Sequence, residues 1–329
     1  MRHGFLFHIL DERGISSRVT LVVIVALVGF IFLRSVTSHA APANAAAIKS
    51  GISGYCLDDH TNSTAPGAVV DSWGCNDTSA QDWTVGVGLI KHDNSCLSVK
   101  SNGTVVGDSI ELKPCVQASG QVWLRDKTGF ENPNSRLCLS LPNGQTGQQL
   151  VLASCSYLSQ DYESWVTSQT PDCSTQASEG EKVACYAEQE WTRWQSGVPS
   201  HETLLTAYTG GAPYEEWCAD FVSYVYKEAG YPFSNGNYDG WDENIAPDIQ
   251  YMGFNIHDAG SYNPQPGDVA FFDYAGGHVE IVVSGGKSPT FIYGDSATID
   301  PATGNGDMEA NTITSMGSEG NVVYYMSPQ

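Results

Sequence analysis

The chain has 329 residues, of which 41% are hydrophobic and 16% are charged, a composition typical of a globular protein with room for two cores. Its 37 acidic residues outnumber its 15 basic residues, so the formal net charge is −22. A chain this acidic has no basic face that could neutralise phosphates, which excludes nucleic acid and an anionic membrane surface as partners held by charge.

The N-terminal segment, residues 1–47, is typical of a secretory leader with an Ala-rich spacer. Residues 19–33 form a run of 15 residues without a charge, preceded by arginines and followed by small residues in which Ala40 fits a cleavage site. The run is short for a membrane span. Arg34 and the long segment before the run leave an uncleaved signal anchor as the alternative. We expect the remainder to be extracellular, either secreted or attached to the membrane only through this segment.

The number of cysteines agrees with an oxidising compartment. The chain has nine cysteines, an odd number that leaves one thiol without a partner. In chain order the ninth is Cys218. A spare thiol in a secreted chain needs an explanation, and a chemical function is one.

Residues 48–166 contain a threefold repeat with a period of about forty residues. Two series of cysteines advance at this period, Cys56, Cys96 and Cys138 in one and Cys75, Cys115 and Cys155 in the other. Each repeat has a tryptophan after its second cysteine, at Trp83, Trp123 and Trp165. The short alternating runs between them are broken by Gly, Asn, Ser and Pro, which predicts a unit of strands and turns. We expect the three tryptophans to be core residues.

The threefold C-L-(D/S) … C … Q-x-W pattern resembles the ricin-B-type lectin domain. The resemblance implies an all-β fold, a β-trefoil of three lobes, over residues 48–168. It also implies one disulfide within each lobe, Cys56–Cys75, Cys96–Cys115 and Cys138–Cys155. Closing a loop of about twenty residues contributes roughly 3 kcal/mol per bridge in the chain-entropy account.

In this lectin family a sugar is held by a carboxylate after the first cysteine, an aromatic ring two residues before the second, and polar groups beyond it. Carboxylate and amide groups select hydroxyl directions, and an aromatic face covers the C–H patch of a pyranose. In the first lobe the corresponding residues are Asp58, Asp71, Trp73, Asn76 and Gln81. Because Lys113 and Ala153 stand in place of Trp73 in the other lobes, we predict one glycan site, in the first lobe.

Residues 169–182 are rich in Ser, Thr, Asp and Gly and are predicted to link the first domain to a second one over 183–329. Cys173 and Cys185 bracket this linker, and we predict that they pair. The second domain has helical patterns at 183–194, 204–208 and 217–232, then β-branched and aromatic runs at 269–272, 276–283, 290–293 and 322–325. Helices followed by an antiparallel sheet predict an α+β domain.

Cys218 lies in the first turn of the helix predicted over 217–232, on the apolar stripe that faces the core. Unpaired N–H groups at a helix start favour a thiolate over a thiol, which is the environment of a nucleophile. The alternative is an inert core cysteine. A cysteine nucleophile needs a base, and His278 is the one histidine of eight that begins a predicted core strand.

Four motifs of the second domain, W-C-A-D-F-V, P-x-P-G-D-V-A-F-F, G-G-H-V-E-I-V-V and I-Y-G-D, resemble the CHAP domain, a family of cysteine, histidine-dependent amidohydrolases and peptidases with a papain-like core. The resemblance implies Cys218 as nucleophile and His278 as general base in the hydrolysis of a peptidoglycan amide. It also implies a third residue that orients the histidine from the next strand.

In the family this third residue is commonly Glu or Asn, and here Tyr293 and Asp295 stand in those places. We assign the role to Asp295, the carboxylate at that point. Glu280 is the rival, because it follows His278 by two residues and its side chain points to the same face of the strand. The other interpretation of Glu280 is a solvated edge residue.

We predict no metal and no cofactor, because residues 209–216, just before the cysteine, lack the D-x-D spacing that a calcium site needs. The leading hypothesis is a secreted or surface cell-wall hydrolase, an N-acetylmuramoyl-L-alanine amidase or an endopeptidase, that the trefoil targets to peptidoglycan or surface glycans. The alternative, motivated by the missing Glu at Tyr293, is a carbohydrate-binding lectin with a catalytically silent second domain. A third possibility is a hydrolase directed at host glycans.

Overall fold

The computed structural model describes residues 45–127, 129–155, 162–211, 216–233, 254–273, 277–313 and 322–328. The predicted leader at 19–33 lies outside these residues. In the described part of the chain, no helix combines the length and the apolar character needed to cross a bilayer.

Three four-stranded antiparallel sheets correspond to the three sequence repeats. The first contains β1 (Lys49–Ser50), β2 (Tyr55–Asp59), β3 (Val70–Gly74) and β12 (Trp165–Val166), in the order β12-β1-β2-β3. The second contains β4 (Thr84–Gly86), β5 (Leu89–His92), β6 (Ser95–Val99) and β7 (Ile110–Pro114), in chain order. The third contains β8 (Leu124–Asp126), β9 (Gly129–Asn132), β10 (Leu137–Ser140) and β11 (Val151–Ser154), also in chain order. Pairing of β12 with β1 joins the two ends of the repeat region.

The tryptophan of each repeat is buried in the core of its lobe and forms a hydrogen bond there. Trp83, Trp123 and Trp165 are at most 1% exposed. Their indole N–H groups donate to the carbonyls of Leu57, Leu97 and Leu139, at 2.9, 3.0 and 3.0 Å. A buried indole N–H needs an acceptor, and each lobe supplies it at the same place. The prediction that these tryptophans are core residues is confirmed.

The four predicted disulfides are present, and Cys218 is the free cysteine. They are Cys56–Cys75, Cys96–Cys115, Cys138–Cys155 and Cys173–Cys185. The last one ties the segment after the third lobe to the first helix that follows it.

Among the described residues that come next are three α-helices, α1 (Glu179–Ser196), α2 (His201–Thr209) and α3 (Cys218–Glu228). The predicted helical segments at 183–194 and 204–208 lie inside α1 and α2. Helix α1 begins earlier than predicted because of a capping box, in which Ser178 Oγ accepts the N–H of Glu181 and the Glu181 carboxylate accepts the N–H of Ser178, both at 3.1 Å.

A six-stranded antiparallel sheet follows in the order β13-β18-β14-β15-β16-β17. Its strands are β13 (Asn255–Asp258), β14 (Val269–Phe272), β15 (His278–Ser284), β16 (Thr290–Tyr293), β17 (Glu309–Thr312) and β18 (Val322–Ser327). The four predicted strands correspond to β14, β15, β16 and β18. The sequence does not predict β13 and β17, because these two edge strands are short, polar and half exposed.

The two faces of this sheet have different neighbours. Val279, Ile281 and Ile292 belong to the core cluster beneath the helices, whereas Phe272 and Phe291 belong to a smaller cluster on the other face. Side chains alternate along a strand, so His278 and Glu280 share a face, and the His278 ring lies 6.4 Å from the Phe272 ring.

Helix α1 also contacts the trefoil region. The Trp191 indole donates to the Arg125 carbonyl at 2.8 Å, and Glu188 Oε2 accepts the N–H of Gly88 at 2.7 Å. Glu188 is 3% exposed. Burial raises its pKa to about 8, although the Gly88 hydrogen bond and the Arg125 charge act in the opposite direction.

The Glu188 carboxyl should make the stability of the protein depend on pH. The folded chain keeps this proton up to about pH 8, whereas an unfolded glutamate loses it near 4.5. The folded state therefore binds more protons in this window, and the free energy of unfolding should fall as the pH rises through it. Glu188→Gln keeps an oxygen for Gly88 and should be more stable than the wild type at pH 8 by on the order of 3 kcal/mol. Denaturant unfolding of both proteins at pH 5 and pH 8 checks this, and parallel pH dependences would contradict it.

Candidate functional site

Cys218 is the first residue of α3 and is buried, as the sequence predicts. The backbone N–H groups of Val279 and Ala219 lie close enough to its sulfur to lower the pKa of the thiol. Val279 is the residue after His278, so the sulfur lies against the start of β15.

Burial, rather than the helix start, controls the protonation of Cys218. Burial raises the pKa of the thiol to about 12; the N–H groups of Val279 and Ala219 lower it, and the charges of Asp295 and Glu216 raise it. The N–H of Ala219 at the helix start lowers the pKa of the thiol, as the sequence predicts, but burial has the larger effect because the sulfur loses its solvation. At neutral pH Cys218 carries its proton.

His278 begins β15 and is 6% exposed. Burial lowers its pKa to about 4, so the imidazole is neutral at pH 7 and able to accept a proton. Its Nε2 lies 3.7 Å from Oε1 of Glu280. The ring of Tyr293 meets the imidazole edge to face, with 5.1 Å between ring centroids.

Glu280 is 2% exposed. Its strand is an interior one, with β14 on one side and β16 on the other. The interpretation of Glu280 as a solvated edge residue is therefore wrong. The structure places this carboxylate beside the imidazole of His278, within the distance of an ion pair.

Asp295 lies next to the start of α3. The backbone N–H groups of Trp217 and Gly306 lie close enough to its carboxylate to lower its pKa, and its charge raises the pKa of Cys218. Gly294 permits this approach, since a Cβ there would overlap the Trp217 ring. The structure thus brings Asp295 to the cysteine and Glu280 to the histidine. The orienting role assigned to Asp295 stays a prediction.

A pocket of about 440 Å³ opens in the first trefoil lobe, where the sequence predicts the glycan site. It is lined by Asp58, His60, Thr61, Asn62, Trp73, Asn76, Thr78 and Ala80. Three of the five predicted residues, Asp58, Trp73 and Asn76, belong to this lining. Trp73 is 47% exposed, so its ring is available to a ligand.

The strand register shows which residues of the other two lobes correspond to Trp73, and neither of them is aromatic. Trp73 lies opposite Cys56 in its hairpin, and the residues at the same place in the other lobes are Lys113, opposite Cys96, and Ala153, opposite Cys138. Neither of these side chains has a ring face for a pyranose.

The other two predicted residues, Asp71 and Gln81, are at most 1% exposed and stand behind the lining. Gln81 Nε2 donates to Oδ2 of Asp58 at 2.8 Å, which fixes the direction of that carboxylate. Asp71 Oδ2 lies 2.6 Å from Nδ1 of His60. Asp71 and Gln81 therefore support the lining residues His60 and Asp58 and do not line the pocket themselves.

Sequence reasoning missed His60 and Asn62 as lining residues. Both lie just after β2, within four positions of Asp58. This short spacing is the signal that could have identified them. Polar residues that directly follow the strand of Asp58 lie at the edge of the same pocket.

One group of described residues has the spacing of metal ligands, namely Asp126, Cys138 and Cys155. Its two sulfurs form a disulfide, and a disulfide sulfur is not the thiolate that a metal binds. This group therefore offers no metal site. Of the predicted metal-free segment before Cys218, residues 212–215 lie outside the described residues.

Two family models match the chain, the ricin-type beta-trefoil lectin domain over residues 44–165 and the CHAP domain over residues 207–295. The comparison with curated proteins finds no match.

Several solved structures resemble the trefoil region. The agglutinin from Abrus precatorius is 23% identical over 39% of this chain and 51% of its own, with a TM-score of 0.33. The designed threefold symmetric protein ThreeFoil is 22% identical over 37% of this chain and 96% of its own, with a TM-score of 0.34. The C-half of the earthworm R-type lectin, solved in complex with GalNAc, is 16% identical over 36% and 94%, with a TM-score of 0.31. This chain thus spans about half the length of the agglutinin.

Proposed function

Because the chain contains a ricin-type β-trefoil lectin domain and a CHAP domain, we propose that it is a secreted or surface-attached hydrolase that cleaves an amide of peptidoglycan. The bond is the amide between muramic acid and the stem peptide or a peptide bond of the stem or bridge. One observation carries the proposal: the free Cys218 at the start of α3 lies close enough to the backbone N–H of Val279, the residue after His278, for that group to lower the pKa of its thiol. A cysteine at a helix start, packed on an antiparallel sheet with a histidine at a strand start, supports a papain-like arrangement.

The reaction follows from the protonation states of the two groups. Both are neutral at pH 7, so His278 takes the thiol proton while the sulfur attacks the carbonyl carbon. The backbone N–H of Cys218 is at a helix start, where the helix itself supplies no acceptor for it, and it donates to the oxyanion. Collapse of the tetrahedral intermediate breaks the C–N bond, and the imidazolium gives its proton to the leaving amine. Water, activated by His278, then hydrolyses the thioester and releases a carboxylic acid.

The first-lobe pocket supports a targeting role for the lectin domain. Trp73 offers a ring face, and Asp58 offers a carboxylate whose direction Gln81 fixes. The net charge of −22 favours attachment through sugars over electrostatic attraction to an anionic wall. We propose cell-wall or surface glycans as the ligand of this pocket.

A second candidate function is a lectin with a catalytically silent second domain. Burial favours it, because it raises the pKa of the Cys218 thiol and lowers the pKa of the His278 imidazole. Both shifts oppose transfer of the proton from sulfur to imidazole. Release of amines from peptidoglycan decides between the two functions.

A matched pair of variants assigns the residue that orients His278. We expect Glu280→Gln to lower kcat by about 100-fold, because it removes the negative charge that stabilises the imidazolium beside Nε2. We expect Asp295→Asn to lower kcat by less than about tenfold, because Asn can still accept the N–H groups of Trp217 and Gly306. Steady-state amine release by both variants measures this. The reverse order of effects would return the orienting role to Asp295.

A further inference from the structure

A series of contacts joins the trefoil domain to the imidazole of His278. Arg136, in the turn between β9 and β10, has Nη2 3.6 Å from Oε2 of Glu309 on β17. The Tyr293 hydroxyl donates to the same oxygen at 3.1 Å. The Tyr293 ring meets the imidazole of His278 at 90° between planes.

Both the backbone and the hydroxyl of Tyr293 are fixed by Glu309 on the neighbouring strand. It lies directly opposite Glu309 in the β16–β17 register, and it is 8% exposed. The other oxygen of Glu309, Oε1, accepts the Ser296 hydroxyl at 3.2 Å, so the carboxylate cannot turn away from Tyr293 without losing a hydrogen bond. The phenol ring therefore has a defined position against His278.

The protonation states suit this contact. Burial, with the charges of Glu280 and Glu309, raises the pKa of Tyr293, so its hydroxyl stays a donor. Burial would raise the pKa of Glu309, but hydrogen bonds from Thr298 and Tyr293 and the charge of Arg136 bring it below its ordinary value. Glu309 is therefore ionised when it accepts the Tyr293 hydrogen bond. The positive charge of Arg136, in the trefoil domain, contributes to this ionisation.

We propose that Tyr293 is a positioning residue for His278 and that Arg136, acting through Glu309, makes this positioning depend on the lectin domain. This inference rests on the proposed role of His278 as general base. An edge-to-face neighbour limits rotation of the imidazole about its Cβ–Cγ bond, which keeps Nε2 directed at Glu280. The lectin domain then has a second role besides glycan binding. Its Arg136 helps to hold Glu309, and through it Tyr293, in place beside the catalytic histidine.

The test compares variants of the full chain that remove one contact each. Tyr293→Phe removes the hydroxyl and keeps the ring, Glu309→Gln removes the charge, and Arg136→Gln removes the contribution of the trefoil. We expect the first two to lower kcat about tenfold at unchanged KM, and Arg136→Gln to lower it about threefold, because the support of the general base is loosened while substrate binding is untouched. Arg136→Lys should restore most of the lost kcat.

Two further measurements separate positioning from general destabilisation. Lys113→Gln is the matched control, since it breaks a comparable exposed ion pair, with Glu111 at 3.1 Å, in another lobe; it should leave kcat unchanged. In protein labelled with ¹⁵N-histidine, the ring nitrogen shifts of His278 should move in Tyr293→Phe and Glu309→Gln, while those of His257 stay in place.

Unchanged kcat together with unchanged His278 shifts in the Tyr293, Glu309 and Arg136 variants would overturn the inference. Failure of the proposed function has a different signature, because the wild-type protein would then release no amine. The His278 shifts need no substrate, so they decide whether Tyr293 and Glu309 position the imidazole in that case as well.

Discussion

Replacing Cys218 by alanine should abolish the release of new amines from purified peptidoglycan, a loss of at least about 10⁴-fold in kcat. The reason is that the sulfur forms the bond to the substrate carbonyl, and no other group in the proposed reaction can take its place. Cys218 is also the free cysteine of the chain, so the change disturbs no disulfide. The assay should follow amines and reducing ends together. New amines without new reducing ends identify cleavage of an amide, and the freed terminus names the bond.

The controls for this prediction are other residues of the same domain. His278→Ala should cause a loss of similar size, because attack and departure of the amine both need the imidazole. His257→Ala is the matched control: this histidine lies on the edge strand β13 and stacks on Tyr262 at 3.9 Å, so its loss should leave kcat unchanged. Amine release that persists in Cys218→Ala would exclude the sulfur as nucleophile. No release by the wild type from several wall types would favour the lectin with a silent second domain.

Replacing Trp73 by alanine should weaken glycan binding by at least about 100-fold, since stacking on a pyranose and apolar burial are both lost. The ring is supported from behind by the third lobe. Gly147 has a φ of +72°, and a Cβ there would lie 3.0 Å from Cζ3 of Trp73, so the loop approaches the ring closely and limits its movement. Asp58→Asn should weaken binding comparably, because a neutral amide replaces a charged acceptor whose direction is already fixed by Gln81.

A glycan array of the full chain, followed by titration with the best ligand, measures both effects. Lys113→Ala is the matched control, because Lys113 occupies the position of Trp73 in the second lobe. It should leave binding unchanged if the first lobe holds the site. Binding that survives Trp73→Ala, or that is lost in Lys113→Ala, would place the glycan site elsewhere. Trp73→Ala should also retain hydrolysis of soluble fragments, which would show that targeting and catalysis are separate.

The sequence by itself determined the parts of the molecule that depend on local pattern. The spacing of cysteines and tryptophans predicted three equal lobes, since a repeated supersecondary unit carries its landmarks at a fixed period. Apolar periodicity placed Cys218 at a helix start and His278 at a strand start, because both are properties of consecutive residues. The exposed ring of Trp73 also follows from sequence, as it interrupts the alternation of its own strand.

The tertiary structure decided everything that depends on burial and on distant neighbours. It places Asp71 and Gln81 behind the lining of the first-lobe pocket, and it places Glu280 in the interior beside His278. Burial outweighs the helix start in setting the pKa of Cys218, because a pKa depends on the solvation that packing removes as well as on the local N–H groups. The contact between Arg136 and Glu309 joins residues of different domains. No local pattern predicts such a contact, since packing and desolvation arise only when remote segments of the chain come together.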